Sequence, residues 1–476
     1  MKSIPLKIPI DTKTSFNLIY LWIALLAGLT IFTLYFALAN PQHIIGYDFQ
    51  AFWCGGQTLA HHANPYLNQP LHGCESKNSP GFFVENANAT IPAPLPPYAL
   101  TFFIPWSFIP WVFARAIWWI FLVACIFIES RLIQKLTGKS FWFSFFACSL
   151  ALTAPTMLQG ALAPLPIMLV TAASWMFQTR RWAFGSILLA LSMIEPHLAL
   201  PACIAVFIFL PKTRLWLIAV GFIEFLLAIA AVGLKGFFDY FQHVLPVHAK
   251  AELNNVGQES LTIIVHHLGI SGPTSMHLGA IQYIIFCFIG IFVGYKLSKR
   301  YGTNAWLVLA PASFAVVGGE FIHLSEMAIL IPASCLLSVR YPSIILGILL
   351  AFFAIPGEAL INSGLYLAPG ALILALYLDH LKVRGIFIVL SSLALIVFGL
   401  AAHPVALAQI SNIGGYIPDP GPNALSSIPW GMYNDLSVIG PIWWLEKFLS
   451  IAPALAFVSL LFYVAIYKPA NTQQSI

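Results

Sequence analysis

The chain has 476 residues, 59% of them hydrophobic and only 8% charged, with a mean hydropathy of +0.86. Ordinary soluble domains carry about a quarter charged residues, so this chain has too little charge to cover a water-exposed surface and too much apolar material to stay unfolded. Its net charge of +5 lies in short basic clusters between apolar runs, which is the pattern of topology determinants and argues against a nucleic-acid partner.

The reading is an all-α polytopic membrane protein forming a single integral membrane domain over 1–476. Lys2, Lys7 and Lys13 precede the apolar run Phe16 to Ala39, which is longer than a signal-peptide core and lacks a clean small-residue cleavage site, so it reads as an uncleaved first span. Further spans are expected at 98–130, 141–158, 163–178, 183–211, 215–234, 279–297, 304–320, 323–339, 342–360, 364–379, 385–402 and 441–467. With about 20 residues needed per crossing, this amounts to about 12–14 transmembrane helices. Residues 183–211 lie between two basic clusters, Arg180/Arg181 and Lys212/Arg214, and are interrupted by Glu195-Pro196. Two half-helices or a re-entrant hairpin are expected there.

Starting from a cytoplasmic N-terminus, all of the 22 Lys and Arg except Lys77, Arg115, Lys235, Lys250 and Lys447 fall on the cytoplasmic side, and both termini are cytoplasmic. Three long polar segments, 40–97, 235–278 and 403–440, then lie on the outer face and are the expected seat of function. All of the 13 histidines except His380 fall in these loops or at outer span ends.

Within the first outer loop, Phe49, Phe52, Trp53, Gly56 and Ala60 recur with a helical period after Asp48, which suggests a short amphipathic helix along the membrane interface. Asp48 then has two readings: the N-cap of that helix, or a carboxylate held at the membrane surface as a general base. Cys54 and Cys74 in the same loop can close a disulfide if the loop faces an oxidising compartment; the other five cysteines read as small core residues. Glu195, Glu320, Glu326 and Glu358 are acids at or near outer span ends, where desolvation is costly. Arg115, near the outer end of the second span, can hold a phosphate or snorkel. No HExxH, HxH or CxxC spacing occurs, so no dedicated metal site is expected.

The run Asp48-Phe49-Gln50-Ala51-Phe52-Trp53, continuing to Asn64-Pro65-Tyr66 and to Leu95-Pro96-Pro97-Tyr98, resembles glycosyltransferase family 87. Leu158-Gln159-Gly160, the Glu195-Pro196-His197 break, Ser260-Leu261 and His323 follow in the order such a likeness would have, over about residues 16–340. The resemblance implies a GT-C-like fold with amphipathic helices in the outer loops, and an inverting membrane enzyme that moves mannose or another hexose or pentose from a polyprenyl-phosphate donor to an envelope lipid or glycan acceptor. It implies Asp48 as the catalytic base, with Arg115, His197, His323, Glu195, Gln159 and Tyr98 as candidates for binding the donor phosphate and substrate, and Lys235 and Lys250 as further cations near it. Where the family often carries Lys-Pro, this chain has Glu195-Pro196, with His197 available in place of the lysine.

The resemblance also implies a bacterial cytoplasmic membrane, with the active site facing outward. No cofactor is expected beyond the lipid-linked sugar as co-substrate, and the enzyme is expected to work without a metal. The expected partners are the lipid-linked donor, the acceptor and membrane lipids. The competing readings are a multi-span transporter or flippase of a lipid-linked sugar, and an inactive relative that binds one.

Overall fold

A computed structural model describes residues 46–78, 90–139, 160–255, 257–340, 421–426 and 441–467, together with 141, 144, 145, 147 and 148. The first span at 16–39, most of 141–158, the spans expected between 342 and 402, and Gln159 and Glu358 lie outside the described residues. Among the described residues the secondary structure is helical, with one isolated antiparallel bridge between Leu67 and Leu425.

The helices are α1 (Tyr47–Ala60), α2 (Asn68–Asn78), α3 (Pro97–Thr101), α4 (Ile104–Ser107), α5 (Trp111–Thr137), α6 (Pro164–Gln178), α7 (Trp182–Leu191), α8 (Pro196–Phe209), α9 (Arg214–Asp239), α10 (Leu245–Glu252), α11 (Leu261–His267), α12 (Gly272–Tyr301), α13 (Trp306–Val317), α14 (Leu330–Leu337) and α15 (Pro441–Ile466). Among the described residues, three helical stretches, Trp111–Thr137, Pro211–Glu252 and Gly272–Tyr301, are long and apolar enough to cross a membrane. On α9, Leu215, Trp216, Ile218, Phe222 and Ile223 are all exposed. A contiguous apolar face of this kind is what a helix presents to lipid.

The second span starts later than the hydrophobic run suggests. Pro105 and Pro110 break the expected 98–130 segment into α3, α4 and α5, because a proline lacks the amide that a helix interior needs and disfavours helix in the residue before it. The long helix therefore runs from Trp111 to Thr137, where Gly138 closes it at φ 74°. Pro97 opens α3, where its missing amide costs nothing.

The 183–211 segment forms the expected pair of half-helices. α7 and α8 meet at Glu195, whose extended backbone (φ −120°, ψ 90°) separates a 3₁₀ turn at Ser192–Ile194 from Pro196 at the head of α8. The thiol of Cys203 donates to Leu189 O at 3.7 Å, residues lying on opposite sides of the break. The two arms thus fold back beside one another, with Glu195-Pro196 at the tip. At about 1.5 Å per residue, each arm is too short to cross a bilayer alone.

α13 occupies the middle of the larger core. Every residue from Trp306 to Val317 is buried, as expected of a helix that is apolar all round. Around it pack residues of α6, α8, α12, α14 and α15, among them Val170, Leu198, Val293, Ile331 and Phe457. Gly290 and Gly294 permit the contact of α12 with α13, since a Cβ at Gly294 would lie 2.7 Å from the Trp306 carbonyl oxygen.

A second core gathers α1 and α3 to α5. Phe49 stacks on Trp118 at 4.6 Å between ring centroids and 7° between planes, and Trp118 Nε1 donates to Gly160 O at 2.9 Å. The helix expected along an interface is instead packed inside this core: Phe49, Gln50, Ala51, Trp53 and Cys54 are all buried. The sequence period is helical, but α3 to α5 cover the face that carries Phe49 and Trp53, and α2 covers Gln50 and Cys54. The Cys54–Cys74 disulfide is formed, with Cα atoms 5.8 Å apart, and it ties α1 to α2.

Parts of the three polar segments 40–97, 235–278 and 403–440 meet. Asn68 N donates to Ala424 O at 2.7 Å and Ser426 N to Tyr66 O at 2.8 Å, joining the first segment to the third. Tyr240 OH donates to Pro94 O at 2.8 Å, joining the second segment to the first.

Candidate functional site

Asp48 is carried in the first turn of α1, and its expected role as N-cap is corrected by the structure. The cap is Gly46, in the left-handed region at φ 93°, ψ 36°, with no side-chain cap. A residue without a Cβ takes that conformation readily, and the turn it makes places Asp48 one residue inside the helix, where a carboxylate is favoured by the partial positive charge of the N-terminus. Arg115 lies alongside: its Cγ and Cδ are each 3.7 Å from where a Cβ of Gly46 would stand, and its guanidinium lies over Trp111 and Trp119 at 5.9 and 5.5 Å from the ring centroids.

The hairpin tip faces this helix. Asp48 is close enough to Glu195 to act on it electrostatically, as are Glu326, His197 and His323. Tyr98, a candidate for substrate binding, donates its hydroxyl to Met193 O at 2.6 Å. That bond fastens α3 to the turn just before Glu195. Tyr283 OH does the same on the other side of the tip, donating to His197 O at 2.9 Å.

Glu326 joins the site from the turn before α14. Its Oε2 accepts from His323 N at 3.1 Å and stands 3.3 Å from His197 Nε2. His323 extends the cluster to the segment between α10 and α11: its Nε2 is 3.1 Å from Gln258 Nε2 and 3.9 Å from Glu252 Oε2. Glu252 is buried and accepts from Asn255 Nδ2 at 2.8 Å and from Gln258 Nε2, with His248 Nε2 at 3.9 Å. The result is a cluster of acids and imidazoles running from Glu195 and His197 through Glu326 and His323 to Glu252 and His248, with Asp48 within electrostatic reach of Glu195.

Of the residues singled out from sequence, Asp48, Glu195, His197 and His323 are brought together, and Arg115 lies at the head of α1. Lys235 lies apart from them, exposed on α9, beside a cavity of about 640 Å³ that Tyr66, Asp239 and His243 also line. Lys250 is exposed on α10. Glu252, Asn255 and Gln258 went unnoticed. The available signal was His248 and Glu252 at an i, i+4 spacing, which places both on one face of a helix.

No protein-family model matches the chain, and neither a curated protein nor a solved structure matches it.

Proposed function

We propose that the chain is an inverting membrane glycosyltransferase of the GT-C type, a polytopic protein of about 12–14 spans that moves a sugar from a polyprenyl-phosphate donor to an envelope lipid or glycan at the outer face of a bacterial cytoplasmic membrane. The observation that carries this reading is the position of Asp48: a carboxylate from the first outer loop, on a helix that a buried aromatic stack holds, within electrostatic reach of acids and imidazoles drawn from two other parts of the chain. An acceptor hydroxyl attacking the anomeric carbon must lose its proton, and a fixed carboxylate can receive it. The carbon–oxygen bond to the lipid phosphate breaks as the new glycosidic bond forms, and the departing phosphate keeps the electron pair. Charge develops on that phosphate, and Arg115, His197 and His323 are the cations and donors within the same region to meet it. The exposed apolar face of α9 supplies a surface on which a lipid carrier can approach.

The broken α7–α8 hairpin with an acid at its tip favours a second reading, since transporters build binding sites from interrupted helices. One assay separates the two. Wild type and Asp48→Asn in nanodiscs are offered a panel of polyprenyl-phosphate sugars with a membrane-lipid extract as acceptor, and released polyprenyl phosphate is measured. Release by the wild type and a fall of about 100-fold or more in the variant, within the range expected for loss of a general base, supports the transferase. No release from any donor, with control enzymes active in parallel, removes it, and movement of intact donor across the vesicle membrane would establish the transporter.

A further inference from the structure

Three side chains able to ligate a metal converge at the hairpin tip. The ligand atoms of Glu195, His197 and Glu326 all lie within 4.8 Å of one another. His197 Nε2 and Glu326 Oε2 are in ion-pair contact at 3.3 Å, and His197 Nε2 is buried with no other polar partner among the described residues. Glu195 is 8% exposed, and its Oε2 is also buried with no hydrogen-bond partner among the described residues. Two buried carboxylates beside an imidazole nitrogen in contact with one of them form an arrangement that a shared cation would complete.

The 3.3 Å between His197 Nε2 and Glu326 Oε2 fits two neighbouring ligands of one ion. Ligands bound at about 2.1 Å at tetrahedral or octahedral angles stand about 3.0–3.4 Å apart, and opposite ligands stand about 4.2 Å apart. The ligands are also held from behind, as metal ligands usually are: His323 N donates to Glu326 Oε2 and Tyr283 OH to His197 O. We propose that Glu195, His197 and Glu326 bind one divalent transition-metal cation. An imidazole argues against Mg2+ or Ca2+, which favour all-oxygen sites, and one nitrogen with two carboxylates suits Zn2+ or Mn2+. Three protein ligands leave a coordination position open. Under the transferase reading that position takes a phosphate oxygen of the donor; binding of the ion does not depend on that reading.

The full-length protein in nanodiscs is stripped with EDTA, equilibrated with Mn2+ or Zn2+, and its bound metal is quantified. One ion per chain is expected, with Glu195→Gln and His197→Gln each weakening binding at least tenfold and Glu224→Gln on α9 leaving it unchanged. Thermal unfolding of each variant in EDTA establishes that it is folded. The wild type gives a second readout that no misfolded variant can obscure: pulsed EPR of bound Mn2+ should show coupling to an imidazole nitrogen. Failure of the wild type to bind either ion stoichiometrically, binding equal in the folded ligand variants, or bound Mn2+ without nitrogen coupling would each overturn the site. A site that binds metal in a protein that transfers no sugar would leave the ion in place and remove only the transferase.

Discussion

Lys447 donates to Glu259 Oε1 at 2.9 Å, with the two side chains 1% and 2% exposed. This pair joins α15 to the segment just before α11, 188 residues earlier in the chain. Lys447 is one of five basic residues that the charge pattern places on the outer side, and its partner belongs to the polar segment 235–278. Trp443 covers it, with the ammonium 5.6 Å from the ring centroid. α15 is thus fixed to that segment by a charge that neither could bury alone.

Removing one member of a buried ion pair costs about 3–5 kcal/mol, whereas replacing both with apolar residues is often tolerated. Lys447→Met should therefore lower the unfolding temperature in nanodiscs sharply, and Lys447→Met with Glu259→Leu should recover most of the loss. Equal effects in the single and double variants would show that the pair contributes no coupling.

The Cys54–Cys74 bridge closes a 20-residue separation, and constraint of the unfolded chain by a loop of that length is worth about 3 kcal/mol. Both thiols should resist maleimide until a reductant is added. Cys54→Ser with Cys74→Ser should unfold at a lower temperature than the wild type in the absence of reductant, and reductant should bring the wild type down towards it.

Glu75 is fully buried on α2, and its Oε2 accepts from Ile91 N at 3.0 Å. Desolvation dominates and raises its pKa well above the ordinary carboxylate value, although the Ile91 bond opposes this. A group whose folded pKa exceeds its unfolded value contributes stability that is complete below the unfolded pKa, near pH 4, and is lost as pH rises through the folded pKa. Glu75→Gln keeps the acceptor and removes the titration. The stability of the variant relative to the wild type should therefore rise with pH above about 4, and a difference that is flat with pH would contradict the assignment.

Gly160 has φ +72°, and a Cβ there would stand 3.1 Å from Phe49 Cβ. Gly160→Ala combines left-handed backbone strain with a clash against the helix that carries Asp48, for about 1–3 kcal/mol. It should destabilise the protein and, under the transferase reading, reduce activity beyond the loss of folded protein. Gly138→Ala, at φ +74° with nothing nearby, should cost stability alone.

Tyr98→Phe deletes the hydroxyl that holds Met193 O and leaves that acceptor unpaired, for about 1–3 kcal/mol. Because the bond fixes the turn before Glu195, the variant should also weaken metal binding at the hairpin tip while leaving the number of ions per chain at one.

Much of this architecture follows from local sequence. Apolar runs of bilayer length specify α9 and α12, because a backbone in lipid must satisfy its hydrogen bonds within the helix. Glu195-Pro196 announces the hairpin break, since proline cannot continue a helix from the residue before it. Asp48 and the Glu195-Pro196-His197 triplet stand out for a similar reason: charge within apolar surroundings is costly wherever it occurs.

The tertiary structure decides which of those groups meet. Whether α1 lies on a surface or inside a core depends on α5 and the α3–α4 turn, and a helical period is the same in either setting. Glu326 becomes a partner of His197, Glu252 of His323 and Glu259 of Lys447 only when distant segments pack. Periodicity and capping act over a few residues, whereas the pairing of buried charges is an energy of the assembled fold, set by which polar atoms are left without water once the helices close around α13.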